Sequence, residues 1–516
     1  MKQLDLLLVI PGNLSQVYQG FAREHHTEPP AKARQIAAYL MRRGFGVNLL
    51  DATINPLSPE LMAREVIASK PRLVWIPVYG FNPSSSTQTM PAARAYAQAI
   101  KDLDPTVPIV FSGTHPAAIP KKTLAEEPVD YVCSGEGPVT AHELLQALGV
   151  GTGIEQVRGL WRRQDGVILA NPPAPLINLS EEPAMLAWPL MDPRKYQADG
   201  WHTFYRPVAE RMGYANPFSV EGCPFKCDFC NIQAPFRDGE RAANMAVNSY
   251  RFLAPQLFVE EVAYLVETFG IKYFKIPDEM FGLKESHVLA IAEGIAERFG
   301  DTLDFWCYAR VDTANKPRML EACRAAGIRW FGVGIEAGNS KVRSGQDKKF
   351  QDSDIFRVIG RINQAGIEVG TTFIFGLPGD DLESMRDTYS LACELNTPFA
   401  SFYCTQALPG SALYARAKAN GYPLPERPGG PGWIGHSQYG YECEPFYEGT
   451  ALTPAQILAF RDLAHVDYFT RPKFREMLLV RPGFGEVALQ SIDRWVDGAR
   501  GLRRKIVEDA QRVVGD

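Results

Sequence analysis

Three cysteines crowd into one short stretch of this 516-residue chain, Glu221-Gly222-Cys223-Pro224-Phe225-Lys226-Cys227-Asp228-Phe229-Cys230, with the spacing C-x3-C-x2-C. Each intervening segment is just long enough to turn back, so the thiols of Cys223, Cys227 and Cys230 can converge on one metal centre. Three protein ligands on a four-iron cube leave one iron open. An open iron can hold a substrate, whereas a cluster closed by four cysteines can only pass electrons. A zinc site and three unrelated buried thiols are the other readings. Structural zinc asks for four ligands, usually as two close pairs. The remaining cysteines, at 133, 307, 323, 393, 404 and 443, are isolated, with no partner at two-residue spacing. Nine cysteines is an odd count, and the crowding of three of them is not how a secreted disulfide framework is spaced. A reducing, cytoplasmic setting is expected.

The elements that must position this loop follow from hydrophobic periodicity. Apolar runs at 4–10, 46–50, 72–78, 107–111 and 129–133 lack polar alternation, as strands buried on both faces of a parallel sheet do. Amphipathic stretches at 31–43, 59–69, 91–101 and 138–148 lie between them. Residues 1–150 are therefore expected to form a doubly wound α/β domain, with its ligand beyond the carboxyl ends of the strands. Residues 151–215 read as a hairpin turning at Asp165-Gly166, then a Pro- and aromatic-rich strap carrying Trp188, Trp201, His202 and Tyr205. From 216 to 407 the alternation resumes, with strands at 218–220, 271–276, 303–309, 328–335, 367–375 and 399–407 and helices at 255–269, 284–299, 316–326, 352–365 and 381–395. Six repeats fall two short of a closed eight-fold barrel, so an open, partial barrel is expected, with catalytic groups at its strand C-termini. Residues 408–516 form a C-terminal region with helices expected at 453–471 and 488–512.

Composition narrows the function. Apolar residues make up 46% and charged residues 22%, ordinary values for a globular protein. Lys plus Arg total 54 against 59 for Asp plus Glu, a net charge of −5, which argues against a general nucleic-acid or anionic-membrane binder. No apolar run approaches the roughly 18 residues of a membrane span. The opening MKQLDLLLVIPGN stops at Pro11 and Gly12 and reads as a first strand rather than a signal segment.

The C-x3-C-x-aromatic-C loop at the head of a partial barrel resembles the radical S-adenosylmethionine (SAM) superfamily, and further landmarks agree in order. Asp278 and Glu279 end the second barrel strand, where the resemblance implies a contact to the methionine amino group of SAM. Arg310 ends the third strand. Gly332-Val333-Gly334-Ile335-Glu336-Ala337-Gly338 ends the fourth and places Glu336 at the ribose and carboxylate. Ile374 and Gly376, in Phe373-Ile374-Phe375-Gly376-Leu377-Pro378-Gly379, would face the adenine with the backbone of Phe229. Taken singly, each is more often a loop carboxylate, a surface ion-pair partner or a packing glycine.

With a doubly wound domain ahead of it, the chain resembles the cobalamin-dependent radical SAM enzymes of methyltransferase type. The resemblance implies a 4Fe-4S cluster, SAM and cobalamin as cofactors. Cobalamin contacts would come from Pro11 and Gly12, from Ser112-Gly113-Thr114-His115 after the fourth strand and from Gly135-Glu136-Gly137 after the fifth, with Trp75, Val78 and Tyr79 facing the lower side of cobalt. The D-x-H-x-x-G motif of many cobalamin enzymes is absent. His115, followed by Pro116, reads as a turn residue rather than an axial ligand, and His25 and His26 as loop residues. The implied activity moves a methyl group from SAM, by way of methylcobalamin, to an unactivated carbon of a small-molecule precursor, with an external donor such as flavodoxin or ferredoxin. A ring contraction or oxidative cyclisation without methyl transfer, and a carrier without turnover, are the alternatives. Trp201 and Tyr205, with Trp433, His436, Tyr439, Tyr441, Phe446 and Tyr447, are expected to be core more readily than substrate wall.

Overall fold

The computed structural model describes residues 4–12, 27–80, 82–151, 153–198, 200–236, 249–422, 424 and 452–498. The aromatic residues from Trp433 to Tyr447, as well as His25 and His26, lie outside them.

Five short apolar strands, β1 (Leu6–Ile10), β2 (Val47–Asp51), β3 (Leu73–Pro77), β4 (Ile109–Ser112) and β5 (Tyr131–Cys133), run parallel in the order β2-β1-β3-β4-β5. Successive side chains of β1 and β3 feed two cores. Leu7, Val9, Val74 and Ile76 pack under helices Pro59–Ser69 and Ser85–Leu103. Leu6, Leu8, Leu73 and Trp75 pack under helices Ala31–Arg42 and Pro138–Val150. The order reverses direction between β1 and β3, so their carboxyl ends flank a crevice. The helix expected at 91–101 begins earlier, at Ser85, and Thr114–Ala118 and Pro120–Glu126 are further short helices not foreseen in a proline-bearing stretch. The expected hairpin forms as β6 (Leu160–Gln164) and β7 (Val167–Ala170), turning through Asp165 at φ 51° and Gly166 at φ 78°. It joins β5 antiparallel, extending the sheet to seven strands.

The second unit starts with β8 (Tyr214–Ala215), followed by an antiparallel ladder of β9 (Val220–Glu221) and β10 (Arg251–Phe252). Then come β11 (Tyr273–Ile276), β12 (Asp304–Arg310), β13 (Ile328–Glu336), β14 (Glu368–Phe375) and β15 (Phe399–Cys404). The parallel sheet runs β8-β11-β12-β13-β14-β15, an open six-stranded half-barrel. Its first strand is Tyr214–Ala215, not 218–220 as the periodicity suggested. Asn216 breaks away to accept from Arg34 Nη1 at 2.9 Å, and Pro217 has no N–H to continue the ladder.

The strap joins the units. Trp188 Nε1 donates to Glu261 at 2.7 Å with the Arg34 guanidinium 4.0 Å above its ring, and Tyr196 donates to Asp51 at 2.7 Å. Farther along, Phe204 and Tyr205 pack on Trp330 and on Phe484, and Phe204 also packs on Trp495, from the helical C-terminal residues. Tyr205 is therefore half-buried against the core. Helix Pro454–Thr470, opened by a reciprocal Thr453–Gln456 cap, packs on β15, and helix Pro472–Val480 packs on it in turn. No helix among the described residues is long and apolar enough to cross a membrane.

Candidate functional site

The run-in to the cysteine loop is fixed before the cysteines appear. Asp278, just past β11 and fully buried, accepts from Ser219 N at 2.8 Å and Val220 N at 3.0 Å on one oxygen and from the Ser219 hydroxyl at 2.5 Å on the other. Burial holds its carboxyl up at about 7 despite these donors. Both oxygens of Asp278 are thus committed to the segment ahead of the loop, one to two backbone N–H groups and the other to the Ser219 hydroxyl. Gly222 follows at φ 83°, where an added Cβ would stand 2.3 Å from the carbonyl oxygen of Ser249, so only glycine fits.

The three thiols come next, on one loop. Burial is the first cause that raises each of them, Cys223 to about 11 and Cys227 and Cys230 also upward, and each feels the charge of a neighbouring cysteine or carboxylate. Arg310 at the end of β12 donates to Cys227 Sγ at 3.5 Å, lies 3.7 Å over the Phe225 ring, and is braced by Asp312 and by the carbonyl of Asp347 at 2.8 Å. Asp347, at φ 57°, also accepts from Lys226 N at 3.2 Å. At the end of β13 the register slips between Gly334 and Glu336, and Glu336 takes φ 70°. Its carboxylate pairs with buried Lys348 at 2.7 Å, whose ammonium also donates to Gly334 O at 2.6 Å. Ile374, Ala337, Val342 and Leu377 form a small apolar cluster against which Phe229 packs. The N–H of Gly376 is taken by Asp380 at 2.9 Å. Arg310, Glu336, Ile374 and Phe229 are therefore gathered round the cysteine loop, as expected. Lys348 and Asp347 were missed, because nothing in their spacing separates them from an ordinary loop.

On the first domain, Gly113 (φ 137°) seats its Cα so that a Cβ would be 1.9 Å from Val78 O. Ser112 accepts from Trp75 Nε1 at 2.8 Å, and both are fully buried. His115 is enclosed, its Nδ1 3.1 Å from the Thr87 hydroxyl, and burial lowers its imidazole to about 3. Trp75, Val78 and His115 are thus core, whereas Tyr79 reaches the interdomain crevice.

That crevice is a cavity walled from both sides. Ile10, Pro11, Pro77, Tyr79, Thr114 and Glu136 come from the first domain; Val220, Glu221, Ile232, Pro277, Glu279 and Tyr308 come from the barrel. The Tyr79 hydroxyl is buried without a hydrogen-bond partner among the described residues. Glu279 is pushed up to about 7 by burial, with Lys32 pulling back. Gly12, which packs on the Ala52 carbonyl, and Gly135 and Gly137, which flank Glu136, sit at the same strand ends.

A model of the B12 binding domain matches residues 23–145, and a model of the radical SAM superfamily matches residues 218–392. The chain thus carries a B12 binding domain followed by a radical SAM domain. It is 25% identical over 474 residues, 92% of this chain and 94% of the relative, to an "uncharacterized methyltransferase" of Pyrococcus horikoshii. It is 26% identical over 394 residues, 75% of this chain and 66% of the relative, to the anaerobic magnesium-protoporphyrin IX monomethyl ester cyclase of Rubrivivax gelatinosus. The fold is shared with the radical SAM methyltransferase TsrM of Kitasatospora setae, solved with cobalamin and a [4Fe-4S] cluster, at TM-score 0.64 and 19% identity over 81% of this chain and 78% of that one.

The two matched domains imply cobalamin and SAM as cofactors, and the three-cysteine loop implies a 4Fe-4S cluster. The residues present fit them. Three half-buried thiols whose ionisation is opposed by partial burial are suited to a cationic cluster that offsets the charge of the thiolates. Among the described residues no group of three or more His, Cys, Asp or Glu stands in metal-ligating array. The Tyr79 hydroxyl, unpartnered among the described residues and in a crevice at the strand switch point, is a polar group that a bound ligand could satisfy.

Proposed function

We propose that this enzyme transfers a methyl group from SAM to an unactivated carbon of a small molecule held between its two domains. The observation that carries the reading is the shared cavity: the strand ends of both domains open into one space. When bound, the cluster and SAM supply a hydrogen-abstracting radical, and cobalamin supplies a methyl carrier. Cys223, Cys227 and Cys230 would hold the cluster. Arg310 and the Glu336–Lys348 pair orient the polar end of SAM, with Glu279 toward its amino group, while Phe229, Ile374 and the strand end at Gly376 wall the purine side. Asp278 acts one step back, by fixing the backbone of Ser219 and Val220. Pro11, Gly12, Tyr79, Thr114 and the Gly135–Gly137 turn receive the cobalamin, with Ser112 and Gly113 setting the spacing of β3 and β4. Ile10, Pro11, Pro77, Val220, Ile232 and Pro277 keep water from the reacting centre.

The partner that completes turnover is a one-electron donor of flavodoxin or ferredoxin type, in the cytoplasm, and nucleic acid is not a substrate. The working division of the chain falls near residues 150, 215 and 407. The likeness to a tetrapyrrole cyclase supports a second reading, radical chemistry without methyl transfer. Anaerobic reconstitution followed by mass spectrometry of SAM-derived products separates the two. Methyl transfer gives 5'-deoxyadenosine together with S-adenosylhomocysteine; cyclisation gives the first alone, and a carrier gives neither.

A further inference from the structure

We infer that Arg251 is a positioning residue that couples the loop after β5 in the first domain to the cysteine loop of the barrel, so that filling one site is felt at the other. The inference rests on the reading above, that these two sites take cobalamin and an iron–sulfur cluster.

Arg251 lies in β10 with its side chain 17% exposed, and all three guanidinium nitrogens are engaged. Nε donates to Ser249 O at 3.2 Å. Nη1 donates to Ile177 O of the strap at 2.6 Å and to Glu136 Oε2 at 3.2 Å, and Nη2 donates to Glu136 Oε1 and, at 3.2 Å, to Glu221 Oε2. Glu136 stands in the first-domain loop flanked by Gly135 and Gly137 and accepts from Ile177 N at 3.0 Å. Glu221 is two residues ahead of Cys223, and its other oxygen takes Lys32 Nζ from helix Ala31–Arg42. One planar fork therefore spans both domains and the strap.

The connection continues to the first cysteine. The Ser249 hydroxyl donates to Gln233 Oε1 at 2.8 Å, and Gln233 Nε2 donates to the carbonyl oxygen of Cys223. Glu136 is thus joined to Cys223 through Arg251, Ser249 and Gln233, each link a hydrogen bond. Other contacts between the units, among them Trp188 to Glu261, Arg34 to Asn216 and Lys275 to Glu28, touch neither loop. A guanidinium shared between carboxylates of two domains transmits displacement: a ligand that shifts Glu136 changes the hold on Glu221 and Ser249. Such coupling is reciprocal by linkage, and only a coupling measurement separates it from mere adjacency.

The test compares cob(II)alamin binding, by spectral titration, to the cluster-loaded protein and to the Cys223→Ala, Cys227→Ala, Cys230→Ala triple variant, which cannot hold a cluster. In the otherwise wild-type chain the two Kd values are expected to differ by at least about fivefold. In Arg251→Met the ratio falls to about one while both forms still bind, and Arg251→Lys, a point cation without the fork, falls between. Ser249→Ala, which removes only the link to Gln233 and leaves the ion pairs in place, lowers the ratio too and decides the matter should Arg251→Met fail to fold. A wild-type ratio of about one, or a ratio unchanged in both Arg251→Met and Ser249→Ala, overturns the coupling. A wild-type chain that takes up no cob(II)alamin overturns the proposed function, and the coupling with it.

Discussion

The barrel side of the cavity and the first-domain side are built by opposite means. On the barrel, charged groups are packed tightly and committed to named partners: Glu336 to Lys348, Arg310 to Asp312 and Asp347, and Asp278 to two backbone N–H groups and a hydroxyl. On the first domain the strand ends present mainly proline and small residues beside the Tyr79 hydroxyl, and the charged groups there, Glu136 and Lys32, are paired across the crevice with Arg251 and Glu221 of the barrel side. The difference follows from what each side has to hold. A metal cluster and a charged sulfonium need specific donors at fixed points. A broad flat cofactor needs room and close backbone approach, which glycine and proline provide and which leave little trace in side-chain chemistry.

The sharpest way to break this contrast is at the cysteines. Replacing any one of Cys223, Cys227 or Cys230 by alanine is expected to abolish iron retention and 5'-deoxyadenosine formation altogether, read by iron analysis and mass spectrometry, while circular dichroism stays near wild type. Next in size is Lys348→Met, which strands the buried Glu336 carboxylate. Removing one partner of such a pair costs about 3–5 kcal/mol, read by urea denaturation of the cluster-free protein. On the other side, Gly113→Ala drives a Cβ toward the Val78 carbonyl at an unfavourable φ, at an expected cost of about 3 kcal/mol.

A pH titration gives the comparison a sign. Burial lowers His115 from 6.5 to about 3, so the folded chain keeps it neutral while the unfolded chain takes up a proton below 6.5. Protons then favour unfolding, and the contribution of this residue is complete above pH 6.5 and is lost as pH falls toward about 3. The slope is at most about 1.4 kcal/mol per pH unit, and His115→Gln flattens it, as acid denaturation curves will show. Least of all, Arg318→Ala, which breaks an exposed pair with Glu293, changes stability by less than about 0.5 kcal/mol.

The same contrast explains what could be read from the chain alone. The parallel strands were legible because burial on both faces leaves uninterrupted apolar runs, and the cysteine loop because its ligands are close in sequence. Glu336 and Arg310 were legible because they end long strands in order. The first barrel strand was misplaced because two paired residues, Tyr214 and Ala215, carry no periodicity. Asp278 was expected at SAM, but its surroundings put it on Ser219 and Val220, which only the tertiary fold brings near. Trp75 and Val78 were expected to face cobalt; alternation along β3 turns Trp75 into the layer beneath helix Ala31–Arg42 and Val78 into the opposite core. Arg251 and Lys348 gave no signal, since their partners lie in distant or unpatterned segments.

Electron paramagnetic resonance of the anaerobically reconstituted, chemically reduced protein, recorded with and without SAM, is the most direct measurement. A cube held by Cys223, Cys227 and Cys230 with one iron free predicts a four-iron signal whose g-values shift when SAM is added. Zinc in place of iron, or a four-iron signal indifferent to SAM, would contradict it.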